Sequence, residues 1–139
     1  MFDGRDPIYL QIADQIRQDV VEGNLLEEEQ VMSTTQYATT FRINPATAAK
    51  AFSQLIEDGV LYQKRGLGTF VKPGARERLL ELRRRRYFSE VLQPALDEAG
   101  RIGISLAAVA AHIDSAAHDQ LEHPDQLDRQ AAKKYEEKP

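Results

Sequence analysis

Ile8, Ile12, Ile16 and Val20 recur at intervals of four, the apolar stripe of an amphipathic helix. Asp6 is placed to cap that helix with Pro7 at its first position, where the missing N–H is no loss. Gly23-Asn24 ends it. The stretch NLLEEEQVM (24–32) has no period and reads as a connector, too acidic to lie against phosphate. Ser33-Thr34-Thr35-Gln36 has capping-box spacing and predicts a short helix to about Thr40, with Tyr37, Ala38 and Phe41 available for packing. Asn44-Pro45 then marks a second start, because proline inside a helix costs about 3 kcal/mol but is tolerated in the first turn. Ala48, Ala51, Phe52 and Leu55 follow at i, i+3, i+4 and i+7, to about Asp58, and Gly59 supplies the stop.

The period changes after Gly59. Val60-Leu61-Tyr62 and Thr69-Phe70-Val71 are strand-like, with Lys64–Gly68 as a glycine-bearing loop between them, so a hairpin is expected. Pro73-Gly74 punctuates. Residues 75–99 read as a highly charged helix that Pro94 is expected to kink or interrupt. After the turn GRIGI, Ser105 caps a last helix over 106–118. The 119–139 tail holds too few apolar residues to fold alone and is expected to be mobile. The expected organisation is therefore mainly α: a winged helix-turn-helix over 1–74 with three helices and a β-hairpin wing, then a two-helix dimerisation segment over 75–118, then the tail.

The two central helices, separated by a turn at Phe41-Arg42-Ile43, have helix-turn-helix spacing. The second presents Ala46, Thr47, Lys50 and Ser53, a compact face able to enter a major groove about 12 Å wide. Charge supports that reading only when its distribution is considered. The 139-residue chain carries a net charge of −4, but residues 1–40 hold −6, residues 41–87 hold +7 and residues 88–139 hold −5. At physiological salt a surface responds to charge within about 8 Å rather than to the whole-chain total. The basic middle coincides with the helix-turn-helix and the hairpin.

DPIYLQIADQIRQDVVEGNL resembles the opening helix of GntR-type transcriptional regulators. ATTFRINPATAAKAFSQLIEDGVLYQKRGLGTFV resembles their helix-turn-helix and wing, ending in the family's Gly-x-Gly-Thr-Phe-Val at Gly66 to Val71. The Asn-Pro helix start and the short helical C-terminal segment most resemble the small YtrA-type branch, and the resemblance spans about residues 6 to 115. It implies a DNA-binding homodimer, usually a repressor on a two-fold symmetric operator, with Asn44, Thr47 and Lys50 in the recognition helix and Gly66 and Gly68 in the wing as functional positions. Lys64 and Arg65 flank those glycines. Met32 and Thr35 stand where the family commonly has proline and arginine, so a charged phosphate contact is lost and Thr35 offers only a hydroxyl. Arg42 replaces a turn glycine and is a candidate to offset that loss from the turn. Ala46 replaces a larger polar residue, which weakens base reading at that position.

Competing chemistry is thin. Arg83-Arg84-Arg85-Arg86 spread round a helix axis and cannot form one stripe, so ion pairing is preferred to DNA contact. His112, His118 and His123 with Asp114 and Asp119 lack a third convergent ligand, so no metal is expected, and no cofactor is implied. Leu92, Leu96, Leu106, Val109 and Ile113 are expected to form a dimer seam rather than an effector pocket, since two helices can hardly enclose the usual 300–1,000 Å³, roughly. A small-molecule effector remains an open alternative, as does a winged-helix adaptor that binds protein instead of DNA. No catalytic spacing is present. The lack of cysteine, of a signal-peptide pattern and of a membrane-length apolar run points to a cytoplasmic protein.

Overall fold

The computed structural model describes residues 4–122. The expected tail lies outside the described residues from 123 onward. The helices are α1 (Ile8–Glu22), α2 (Thr34–Phe41), α3 (Pro45–Glu57), α4 (Ala75–Tyr87), α5 (Gln93–Arg101) and α6 (Leu106–Glu122), and β1 (Leu61–Lys64) and β2 (Gly68–Val71) form the hairpin between α3 and α4. The chain divides into two compact units, between Arg85 and Arg86.

The first unit is a winged helix. Ile12, Ile16 and Val20 are buried, as their spacing predicts, and meet Ala48, Ala51, Phe52 and Leu55 of α3 in one core. Ile8, at the helix end, is exposed instead; α1 begins one residue later than expected, with Pro7 as the N-cap at extended ψ 139° and no side-chain cap. Asp6 therefore does not cap it. Gly23 closes α1 at φ 82°. In α2 both capping-box bonds are formed, Gln36 N–H donating to Ser33 Oγ and Ser33 N–H to Gln36 Oε1, each at 3.1 Å. Tyr37 packs on Phe41 and edge-on to Phe52, at centroid distances of 4.4 and 5.7 Å, which ties α2 to α3. Fully burying a side chain such as Leu55 or Leu61 stabilises by about 1.5–3 kcal/mol, so the buried stripes of α1 and α3 carry much of the fold.

The hairpin is longer in strand and shorter in loop than the sequence suggests. Lys64 pairs with Gly68 and Leu61 with Val71, leaving Arg65–Leu67 as the loop. The acidic connector adds a third strand-like layer at the hairpin's edge. Glu28 N–H donates to Val71 O, Val71 N–H to Glu29 O and Val31 N–H to Thr69 O, at 2.8–2.9 Å, with Gln30 bridged to Phe70. This unit runs past Gly74 because Ala75 and Leu79 of α4 are part of its core.

In the second unit, Phe88–Leu92 form a single wide turn closed by i→i+5 bonds, Gln93 N–H donating to Phe88 O, and α5 starts immediately after it with Pro94 in its first turn. Pro94 thus breaks the α register without ending the helical run: widening the preceding turn removes the clash its ring would make with the carbonyl four residues back. Ser105 Oγ accepts from Ala108 N–H and caps α6, which continues to Glu122 rather than stopping at 118. Among the described residues of the second unit only Ala99, in α5, is buried.

Candidate nucleic-acid interface

The interface candidates are set by the turn between α2 and α3. Arg42 closes α2 in the left-handed region, φ 54° and ψ 50°, its N–H donating to Ala38 O. The position therefore keeps the conformation that glycine would supply, and the arginine side chain stands exposed. Two residues later Asn44 Oδ1 accepts from Ala46 N–H at 2.8 Å, and Pro45 opens α3. From this start Ala46, Ala49, Lys50 and Ser53 form the exposed face. Thr47 is half-buried, not fully on that face, because α3 turns its 47–54 edge toward the core. Thr35, in the first turn of α2, is exposed.

The wing is more constrained than its glycines suggested. Gly66, at φ 77°, faces open space, but a Cβ on Gly68, at φ 128°, would come within 2.6 Å of Gln30 Nε2. Gln30 Nε2 also donates to Leu67 O. Gln30 is exposed and its amide can swing aside, so the positive φ is what favours glycine at 68. Lys64 stands 3.5 Å from Glu28 Oε2, to which the Tyr62 hydroxyl donates at 2.8 Å, and its ammonium lies 4.8 Å from the Phe70 ring centroid. Hydrogen bonding to the Tyr62 phenol, with a smaller contribution from Glu28, holds Lys64 above the ordinary lysine range. The connector expected to avoid phosphate therefore supplies the wing with a counter-charge. Its three glutamates gave only a charge signal; nothing in their spacing announced the strand.

Among the described residues no ion pair engages Arg42, Lys50, Arg65 or Lys72 with a carboxylate. The arginine run is spoken for. Arg83 donates to Gln18 Oε1 at 2.7 Å, Arg84 pairs with Glu77 and Glu81, Arg85 with Glu81 and Arg86 with Glu90. Arg78 is tied to Gly59 O and Pro73 O. Arg42, Lys50, Arg65 and Lys72 are thus the cations of the central block that have neither a carboxylate nor a carbonyl oxygen as partner among the described residues.

In the second unit Leu92, Leu96 and Val109 are half-buried, while Leu106 and Ile113 are exposed. Phe88, Val91, Ile102 and Ile104 are exposed too, four apolar residues the sequence reading left out although their i, i+3 spacing at 88 and 91 was visible. A groove of about 470 Å³, lined by Leu96, Gly100, Arg101, Ile104 and Leu106 among others, lies between α5 and α6. It is an open groove and not an enclosed cavity. No group of three His, Asp or Glu side chains converges among the described residues, and His123 lies outside them. No described helix is long and apolar enough to cross a membrane.

Residues 8–71, from α1 through β2, match the family model of bacterial regulatory proteins of the gntR family. The uncharacterized HTH-type transcriptional regulator YhcF of Bacillus subtilis (strain 168) is 30% identical over 104 residues, which cover 75% of this chain and 84% of that one. The chain belongs to the gntR family. As such it is a DNA-binding transcriptional regulator and not an enzyme. The transcriptional repressor YtrA of the same organism is 29% identical over 100 residues, covering 72% of this chain and 76% of its own. A transcriptional regulator from Oenococcus oeni superposes with a TM-score of 0.72 at 25% identity, covering 84% of this chain and 96% of that one. The match to the repressor NagR of B. subtilis, 36% identical over 75 residues, spans 54% of this chain and only 31% of that protein. Similarity to the larger regulator is thus confined to part of its length.

Proposed function

We propose that this gntR-family regulator is a cytoplasmic homodimeric repressor that places the N-terminal half of α3 in the major groove of each half of a two-fold symmetric operator. The observation that carries the reading is the exposed face Ala46, Ala49, Lys50 and Ser53, too short-chained to obstruct a groove and flanked by uncommitted cations. Lys50 and the edge residue Thr47 contact bases or phosphate. Asn44 has spent its oxygen on the helix cap, so its contact falls to the Nδ2 donor. Arg42 and Thr35 approach the backbone from the turn and from α2. The wing tip, Arg65 and Gly66, meets the flanking backbone or minor groove, with Lys64 and Gly68 shaping it from the strand ends.

Pairing falls to the second unit, where Phe88 is 69% and Leu106 65% exposed around one buried alanine. So much apolar surface in so small a unit is characteristic of an interface. A second copy supplies the missing side of this core through Leu92, Leu96, Leu106, Val109 and Ile113, together with Phe88 and Val91. Dimers of this type read half-sites separated by one helical turn, about 34–36 Å, or a multiple of it.

Selection of bound duplexes from a random pool with the purified protein tests the reading. Recovery of a two-fold symmetric sequence is the expected result; no enrichment at any salt concentration would end it. Lys50→Ala should weaken binding by about 1–3 kcal/mol if it reads a base, or lower the salt slope by about one at unchanged preference if it holds phosphate.

A further inference from the structure

The two lysines of the interface are held in chemically different ways. Lys64 has a carboxylate oxygen at 3.5 Å besides the Phe70 ring, whereas Lys50 has no carboxylate partner among the described residues. Lys50 has a ring: its Nζ lies 4.0 Å from the centroid of Tyr9, within the range at which an aromatic quadrupole attracts an ammonium. Tyr9 belongs to the first turn of α1, half-buried and packed against the core, while Lys50 is exposed on α3. The ring is therefore fixed by the fold and the lysine is fixed by the ring.

We propose that Tyr9 is a positioning residue for Lys50, holding the ammonium of the recognition helix in place without neutralising it. The inference rests on the reading of α3 as the recognition helix. A free lysine samples many rotamers and must surrender them when it meets a phosphate or base. A carboxylate would order it at the cost of its charge, as Glu28 does for Lys64. An aromatic face orders it and leaves the full charge and the N–H donors on its open side for DNA. The contact joins residues 41 apart in the chain, so it comes from the packing of α1 on α3 and not from helix geometry.

The test is a double-mutant cycle on the full chain, using the duplex recovered by selection, with a parallel measurement on the free protein. In the free protein the ε-methylene protons of Lys50 should be shifted upfield by the ring, retained in Tyr9→Phe and lost in Tyr9→Leu. In binding, Tyr9→Leu should weaken affinity about two- to tenfold, Tyr9→Phe should restore it, and Tyr9→Leu should have no further effect in a Lys50→Ala background. Melting curves identify any variant that fails to fold, and the NMR arm and Tyr9→Phe then carry the test. A missing upfield shift in the native protein overturns the proposal, as does tighter binding by Tyr9→Leu. Equal losses with and without Lys50 overturn it too, since Tyr9 would then act by itself. Failure of the underlying reading looks different: Lys50→Ala would leave affinity and salt slope unchanged while the ring shift persisted, removing Lys50 from the interface and the positioning role with it.

Discussion

Arg42 occupies a backbone conformation, φ 54° and ψ 50°, that costs an L-residue other than glycine about 1–2 kcal/mol. Glycine there would lose more chain entropy on folding, which offsets part of that relief. Arg42→Gly is therefore expected to stabilise the fold by roughly 0.5–1 kcal/mol, seen as a higher denaturation midpoint. If the arginine is kept for a backbone contact, the same variant binds DNA more weakly with a smaller salt slope. Unchanged binding would leave Arg42 as unexplained strain. Tyr37 offers a second residue-scale prediction. Burial, aided by the Asp19 charge, pushes its phenol above the ordinary value of 10.0. The folded state then binds the proton more tightly than the unfolded one, so the contribution is complete below pH 10 and is lost as pH rises through the folded value. Native protein should destabilise more steeply above pH 10 than Tyr37→Phe, a comparison that chemical denaturation at fixed pH steps can make.

Among the elements, the wing shows where local pattern stops being informative. The helices α2 and α3 were legible because each carries its own start signal, the Ser33–Gln36 box and the Asn44-Pro45 start, while α1 was legible from its buried stripe although Asp6 does not cap it. The pairing of residues 29–31 with β2 was not legible, since the connector has no alternation and Glu28 turns the chain at φ 67° just before that pairing begins. That pairing brings Gln30 against Gly68 but leaves Gly66 open. Gly68→Ala should destabilise the fold by about 1–2 kcal/mol, mainly through the positive φ and the displacement of the Gln30 amide from Leu67 O. Gly66→Ala, with open space around it, should cost only about 1 kcal/mol in backbone strain and report on DNA approach more directly. Glu28→Gln removes the counter-charge beside Lys64. It should tighten DNA binding and raise the salt slope toward one additional phosphate contact. A slope that does not move would mean that Lys64 stays with Tyr62 and Phe70 and braces the wing only.

For the molecule as a whole, net charge misleads and its arrangement does not. An overall −4 coexists with a DNA-binding unit because acidic residues are used locally: Glu77, Glu81 and Glu90 hold Arg84, Arg85 and Arg86, and Glu28 holds Lys64. Sequence reading located the basic block but could not tell paired arginines from outward ones, since pairing depends on side-chain geometry. The same holds for the second unit, whose apolar positions were partly legible while the wide turn at Phe88–Leu92 was not. If that unit pairs two copies, Phe88→Asp and Ile113→Asp should convert the protein to monomers in sedimentation without lowering the stability of the first unit, whose core contains neither residue. Linked half-sites gain from effective concentration, typically 10²–10⁴-fold, roughly. The monomer should therefore lose about that much affinity for a symmetric duplex while binding a single half-site as well as the native protein does, and its salt slope on the full duplex should fall by about half. Native mass unchanged by both substitutions would place the pairing surface elsewhere. Monomers that still bound the symmetric duplex at native affinity would show that each copy reads its DNA independently and that pairing serves some purpose other than operator choice.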